Sequence, residues 1–204
     1  QLSSENKEVA ILAGGCFWCM EHPFEDLPGV YQALSGYTGG KKKNPTYKEV
    51  ARGKTRHVEA VEIHFDPQKI SYEDILEIFW RNINPTDNGG QFVDRGKQYQ
   101  SAIFYHSPKQ KEMAGQSRKN LNDSNRFQQP IVTSIRAFNG FFPAEPYHQD
   151  YYLKNPLRYS FYRNNSGRDA YLEKTWGKDL KVKLTSPKIS PRFFKPTEKK
   201  SKTP

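Results

Sequence analysis

The stretch from Glu8 to Glu21 constrains this chain more than any other, because it joins an apolar run to a double glycine and then to both cysteines. Glu8 to Ala13 has the length and apolar content of a buried strand, and Gly14-Gly15 permits a sharp exit into a helix that begins near Cys16. The expected unit is strand, turn, helix. A thiol at a helix N-terminus faces unpaired backbone N–H groups and the positive end of the helix dipole, both of which favour the thiolate. Cys16 is therefore the expected nucleophile. Cys19, one turn later, lies about 5 to 6 Å away by helical spacing, within reach of a disulfide after a small local adjustment.

Two other readings of the pair compete with redox chemistry. A structural zinc site needs four ligands, and the chain has neither a second Cys-x-x-Cys nor a pair of histidines at zinc-finger spacing. Two buried, inert cysteines are the other alternative, against which stand the adjoining Gly14-Gly15 and the aromatic pair Phe17-Trp18.

With 204 residues the chain can bury a proper core without disulfide staples. Its 12 Tyr and 13 Phe are expected to supply much of that core and to line any pocket. The net charge of +10 invites a nucleic-acid reading, but nine Lys or Arg against two Asp or Glu lie between Lys178 and Pro204. The rest is only mildly basic, and Lys41-Lys42-Lys43 beside Gly39-Gly40 reads as a solvated loop, so no nucleic-acid partner is expected. No run is long and apolar enough for a membrane span. Because the sequence starts at Gln1 rather than Met, an upstream segment is expected to have been processed or trimmed, which leaves a cytoplasmic or an exported, periplasmic location open.

Taken in order, residues 1–7 are expected to fray, 8–177 to form the domain, and 178–204 to be a basic flexible tail or linker with Phe193-Phe194 as a docking point. After the cysteine helix, which Leu27-Pro28-Gly29 ends, strands are expected at 30–37, 57–65, 98–105 and 131–138. A short helical stretch starts at Tyr47, Ser71 caps a helix with Asp74 three residues on, and Ser107-Pro108 starts another helix reaching to about Asp123. Asn84 to Lys97 is a turn-rich loop longer than a connection needs, which suits a functional loop. Tyr159 to Tyr171 reads as irregular surface chain. The alternation predicts an α/β (α+β) domain, a two-layer ferredoxin-like sandwich with helices packed on a mixed sheet and long coil segments.

One strand carries a charge in an apolar pattern. By period-two alternation Glu59 shares a face with Val61, Ile63 and Phe65, while Glu62 and His64 share the other. Burial there would raise the pKa of Glu59 and make it a proton donor at neutral pH, whereas a strand-end glutamate reaching solvent gives the same pattern. His148 is the one histidine in an aromatic, turn-rich context, and a satisfied structural histidine is the leading reading for it.

With these residues in view, the chain resembles the A-type peptide-methionine sulfoxide reductases over about residues 9–177. The resemblance rests on Gly15-Cys16-Phe17-Trp18, Gly36-Tyr37-Thr38-Gly39-Gly40, Asn44-Pro45-Thr46-Tyr47, His57-Val58-Glu59-Ala60-Val61, Gln98-Tyr99-Gln100-Ser101-Ala102-Ile103 and Ala144-Glu145-Pro146-Tyr147-His148-Gln149, which follow in the family's order. It implies thiol-dependent reduction of methionine S-sulfoxide, in proteins and as free amino acid, and hence repair of oxidised proteins. It also implies that Cys16 attacks the sulfoxide sulfur while Phe17 and Trp18 wall the substrate methyl group. Glu59 would act as general acid on the oxygen, with Tyr47 and Tyr99 donating hydrogen bonds to it. Gly15, Asp94 and His148 would help hold substrate. Cys16 would end as a sulfenic acid that condenses with a nearby thiol. Much of the family has glycine where this chain has Cys19 and carries resolving cysteines farther on. No cysteine follows Cys19, so the Cys-Phe-Trp-Cys subset fits, implying a Cys16–Cys19 disulfide reduced by thioredoxin or a similar dithiol. A monomer with no metal or organic cofactor is expected.

A thioredoxin-like dithiol oxidoreductase would use the same two cysteines but would have no need of Glu59, Tyr47 and Tyr99. A binding module acting through the basic tail would need neither cysteine.

Overall fold

The computed structural model describes residues 7–184. The expected frayed N-terminus up to Asn6 and the tail beyond Leu184, Phe193-Phe194 included, lie outside them. Four strands set the frame: β1 (Glu8–Ala13), β2 (Val30–Thr38), β3 (Val58–Phe65) and β6 (Ala102–Tyr105). They pair antiparallel in the order β6-β1-β3-β2, with α1 (Phe17–Glu25) linking β1 to β2 and α3 (Tyr72–Trp80) lying between β3 and β6. That is the expected ferredoxin-like frame. Two short edge strands widen the sheet: β7 (Ser134–Ala137) runs parallel to β6, and β8 (Phe141–Pro143) antiparallel to β2.

The strand pattern sorts side chains by face. Leu12, Val61, Ile63, Phe65 and Ile103 point into the main core with Phe17, Met20 and Phe24 of α1 and Ile75, Ile78 and Phe79 of α3. Ile11, Val58, Ala60 and Phe104 form a smaller cluster on the other side. Glu59 is 2% exposed and lies on the helix-covered side, as the alternation requires. The helix starts follow their caps: Ser71 accepts from the Asp74 N–H at 3.0 Å, and Ser107 from that of Gln110 at 3.2 Å ahead of α4 (Pro108–Asp123).

Several expectations need correction. The strand expected over 98–105 is a strand only from Ala102, because Lys97–Tyr99 form a 3-10 turn; the one expected over 131–138 pairs only over Ser134–Ala137. Residues 159–171 are not irregular surface chain. They belong to α6 (Pro156–Asn165) and α7 (Arg168–Trp176), which follow the single-turn α5 (Tyr151–Lys154). Their inward positions carry Tyr159 and Arg168 with only Leu172 and Trp176 as large apolar residues, so no apolar stripe announces them. The tail expected from 178 does not start there: Gly177–Asp179 form a 3-10 turn, and Leu180, Val182 and Leu184 pack half-buried on the main core. No helix among the described residues is long and apolar enough to cross a membrane.

Candidate active site

Cys16 stands at the turn between β1 and α1. Gly15 takes φ +86°, and a Cβ there would sit 2.5 Å from Cβ of Gln91, so the loop over residues 84–97 packs directly on the turn. Gly15 shapes the backbone and does not line the cavity, contrary to its expected part in holding substrate. Cys16 is the residue just before α1, and it is 7% exposed while Cys19 is fully buried. Both are free thiols.

The first helical N–H, that of Phe17, donates to Oε2 of Glu59 at 3.1 Å and not to the Cys16 thiol. This corrects the electrostatic expectation for Cys16. Burial, followed by the hydrogen bond to Cys19 and the nearby Glu59 and Asp94, pushes the Cys16 thiol up. The hydrogen bond from Cys16 in turn brings Cys19 down to about 7 against its own burial, with Arg168 and Arg163 helping. The two thiols thus titrate as a pair whose first proton leaves near neutrality. Burial is also the main cause at Glu59, whose carboxyl is raised to about 8 in spite of the Phe17 N–H. It holds its proton at pH 7.

These groups converge on a cavity of about 110 Å³ lined by Cys16, Phe17, Trp18, Tyr47, Glu59, Asp94, Tyr99 and Tyr162. Seven of the eight were expected from the sequence. Tyr47 is brought in by α2 (Tyr47–Ala51), whose start is fixed by Thr46 and Glu49 and by Glu145, which accepts the Tyr47 N–H at 2.9 Å and the Tyr37 hydroxyl at 2.7 Å. Burial raises Tyr47 to about 12 and Tyr99 further, so both hydroxyls stay protonated donors. Tyr99 ends the 3-10 turn, and neighbouring Gln98 is anchored on the Ala51 carbonyl at 2.8 Å. Asp94 sits on the hairpin of β4 (Gly90–Gln91) and β5 (Asp94–Arg95), braced by Arg95 on Asp87 at 2.6 and 2.9 Å. Burial raises its carboxyl as well.

Trp18 is clamped. Its ring stacks on Tyr151 at 3.7 Å, meets the edge of Tyr162 at 5.9 Å, and its Nε1–H donates to Nδ1 of His148 at 3.1 Å. Since Nδ1 accepts, the proton of neutral His148 rests on Nε2, which is buried with no partner among the described residues. His148 therefore stands behind Trp18 and outside the cavity lining, which supports its structural reading over substrate contact.

Tyr162 was missed by sequence reasoning. Its hydroxyl donates to Oδ2 of Asp94, and it arrives on α6, the helix read as irregular chain. Arg163 and Arg168 were missed for the same reason. Arg168, 1% exposed, donates to the Gly14 carbonyl at 3.0 Å and to that of Asn82, tying the cysteine turn to the loop beyond α3. Among the described residues the carboxylates that could share a metal ion are Glu21, Glu25 and Asp150, on the far side of α1 from the thiols. Both oxygens of Glu21 already accept, from the Ser35 hydroxyl at 2.6 Å and the Asp150 N–H at 2.8 Å.

The family model described as peptide methionine sulfoxide reductase matches residues 8–180. The chain belongs to the peptide methionine sulfoxide reductase family. It is 53% identical over 174 residues to peptide methionine sulfoxide reductase MsrA of Bacillus subtilis, covering 85% of this chain and 98% of that one. To MsrA 2 of Staphylococcus aureus N315 it is 52% identical over 171 residues, 84% of this chain and 97% of the relative. Among solved structures, reduced Mxr1 from Saccharomyces cerevisiae superposes with a TM-score of 0.71 at 28% identity, over 77% of this chain and 90% of that one. Methionine sulfoxide reductase A of Corynebacterium diphtheriae gives 0.67 at 30%, over 76% and 78%. Membership in this reductase family accounts for a cavity that joins a thiol, a protonated carboxyl and aromatic walls.

Proposed function

We propose that the chain reduces methionine S-sulfoxide to methionine in this cavity, with Cys16 as nucleophile and Glu59 as general acid. The observation that carries this is the convergence of Cys16 with a carboxyl still protonated at pH 7, between aromatic walls, in about 110 Å³. That is room for about three or four water-sized groups, which suits a methylsulfinyl end. Phe17 and Trp18 take the methyl group. The oxygen accepts from Glu59, Tyr47 and Tyr99, which draws electrons from sulfur and makes it electrophilic. Asp94, held by the Tyr162 hydroxyl, lines the same cavity.

Once the pair has lost its first proton, the Cys16 thiol hands its own proton along their hydrogen bond to the Cys19 thiolate and attacks as thiolate. The sulfoxide oxygen gains the Glu59 proton and transfers to Cys16, releasing methionine and leaving a Cys16 sulfenic acid. Cys19 then displaces water from that sulfur to give the Cys16–Cys19 disulfide. Two electrons from a dithiol such as thioredoxin restore both thiols; Mxr1 from S. cerevisiae has a solved complex with Trx2.

Single-turnover release of methionine from the pre-reduced protein, with each sulfoxide epimer separately and no added reductant, tests the reading. The expected result is about one equivalent from the S epimer with loss of both thiols. Cys16→Ser abolishes release; Cys19→Ser releases one equivalent and then stalls with thioredoxin. No methionine from either epimer, with thiols that still exchange with a test disulfide, would refute the reductase reading for this chain. Normal turnover of Cys19→Ser with thioredoxin would refute the resolving role.

A further inference from the structure

Residue 23 is a proline inside α1, so the N–H that would close the helical bond onto the Cys19 carbonyl does not exist. The vacancy is filled from another helix: Nη1 of Arg163 on α6 donates to that carbonyl at 3.4 Å. The outer edge of the same guanidinium pairs with Asp169, Nη2 to Oδ1 at 2.7 Å and Nε to both oxygens at 3.0 and 3.1 Å, and Nη1 also meets the Tyr159 hydroxyl at 3.2 Å. A cation is thus fixed on the Cys19 side of the dithiol, while the cavity opens on the Cys16 side.

We propose that the reductant attacks Sγ of Cys16 and that Cys19 is the sulfur that leaves, with Arg163 as the positioning residue for its charge. The proposal rests on the Cys16–Cys19 disulfide of the preceding reading. A thiolate displaces along the S–S axis from the side opposite the leaving sulfur. Cys16 lines the cavity and Cys19 is fully buried, so only attack on Cys16 has an open approach. The reductant thiolate forms a bond to Cys16 as the Cys16–Cys19 bond breaks, and the electron pair stays on Cys19 as thiolate. The second thiol of the reductant then attacks its own mixed-disulfide sulfur, and Cys16 leaves and takes up a proton.

The lower-pKa thiol is the better leaving group. In the reduced pair the hydrogen bond from Cys16 favours the Cys19 thiolate most. When Cys19 leaves, Cys16 is held in the mixed disulfide and has no S–H to donate; the charged groups then acting on Cys19 are Arg168 and Arg163, which favour its thiolate, and Asp94, which opposes it. Glu59, the remaining carboxyl beside the pair, stays protonated at pH 7.

The test oxidises the full chain with diamide and exposes it briefly to glutathione. Acid quenching, N-ethylmaleimide labelling and fragmentation of the peptide holding both cysteines then map the adducts. Glutathione on Cys16 with maleimide on Cys19 is expected. Glutathione on Cys19, or divided evenly between the two, overturns the proposal. For Arg163→Gln, opening of the disulfide at pH 7.5 is expected to slow by about three- to tenfold. The pH at which Cys19 becomes alkylated should rise by about one unit, and Arg163→Lys should restore both. If the glutamine and lysine variants behave alike, the charge role of Arg163 falls. Because diamide makes the disulfide without any sulfoxide, this readout stands or falls separately from the reductase chemistry.

Discussion

Replacing Glu59 with glutamine should make the protein more stable near neutral pH and far less active, and the two effects have one cause. The carboxyl titrates at about 8 in the folded protein against 4.5 for an ordinary glutamate, because burial penalises its charge. Below pH 4.5 both the folded and the unfolded chain hold the proton. Between 4.5 and 8 the unfolded chain releases it and the folded one keeps it, so stability falls by about 1.4 kcal/mol per pH unit; above 8 the loss stops. Over the two and a half units from 4.5 to 7 this group therefore costs about 3 kcal/mol. Glutamine does not titrate, and its amide oxygen can still accept the Phe17 N–H that now bonds Oε2 at 3.1 Å. Urea unfolding of both proteins at pH 4.5 and pH 7 should show the variant gaining about 3 kcal/mol on the wild type between the two. Single-turnover methionine release at pH 7 should fall by about 10²- to 10⁴-fold, the scale of a lost general acid. If the stability difference between variant and wild type is the same at both pH values, Glu59 is ionised in the fold and the general-acid argument fails with it.

Wild-type single-turnover rate against pH should be bell-shaped. It should rise as the thiol pair loses its first proton near 7 and fall as Glu59 loses its proton near 8, and the upper limb should vanish in Glu59→Gln. Tyr162→Phe removes the donor to Asp94 and leaves a buried carboxyl without that partner, so kcat/KM for a sulfoxide peptide should drop by about tenfold, a loss of ~1.4 kcal/mol. Unchanged kinetics in that variant would separate Tyr162 from the site. Gly15→Ala combines a φ of +86° with a Cβ only 2.5 Å from Gln91, so it should lower thermal stability by about 1–3 kcal/mol and slow the first step. Retention of both would show that the turn tolerates a side chain.

Seven of the eight cavity residues were legible in the sequence, Cys16 and Glu59 for local reasons and Phe17, Trp18, Tyr47, Asp94 and Tyr99 through the family resemblance. Cys16, Phe17 and Trp18 follow a strand and a double glycine. Glu59 breaks an alternation that β3 obeys, and Asp94 and Tyr99 sit in or just after a loop too long for a plain connection. Tyr162, Arg163 and Arg168 left no such trace, because α6 and α7 turn polar and aromatic residues inward and carry little apolar periodicity. His148 was read in two ways, and the bond from Trp18 places it behind the cavity wall.

The sequence by itself determined the elements that depend on neighbours along the chain. It set the order of strands and helices in the central frame, the caps at Ser71 and Ser107, the face on which Glu59 lies, and the one-turn spacing of the two cysteines. Tertiary structure alone decided how charge is shared between the two thiols. A helix N-terminus acting on its own would favour a Cys16 thiolate. In the folded chain the Phe17 N–H is taken up by Glu59, burial raises Cys16 and Glu59, and the hydrogen bond from Cys16, helped by two arginines from the C-terminal helices, draws the lower pKa to Cys19. Desolvation and Coulomb forces act across space between residues more than a hundred positions apart, and no local pattern in the chain records them.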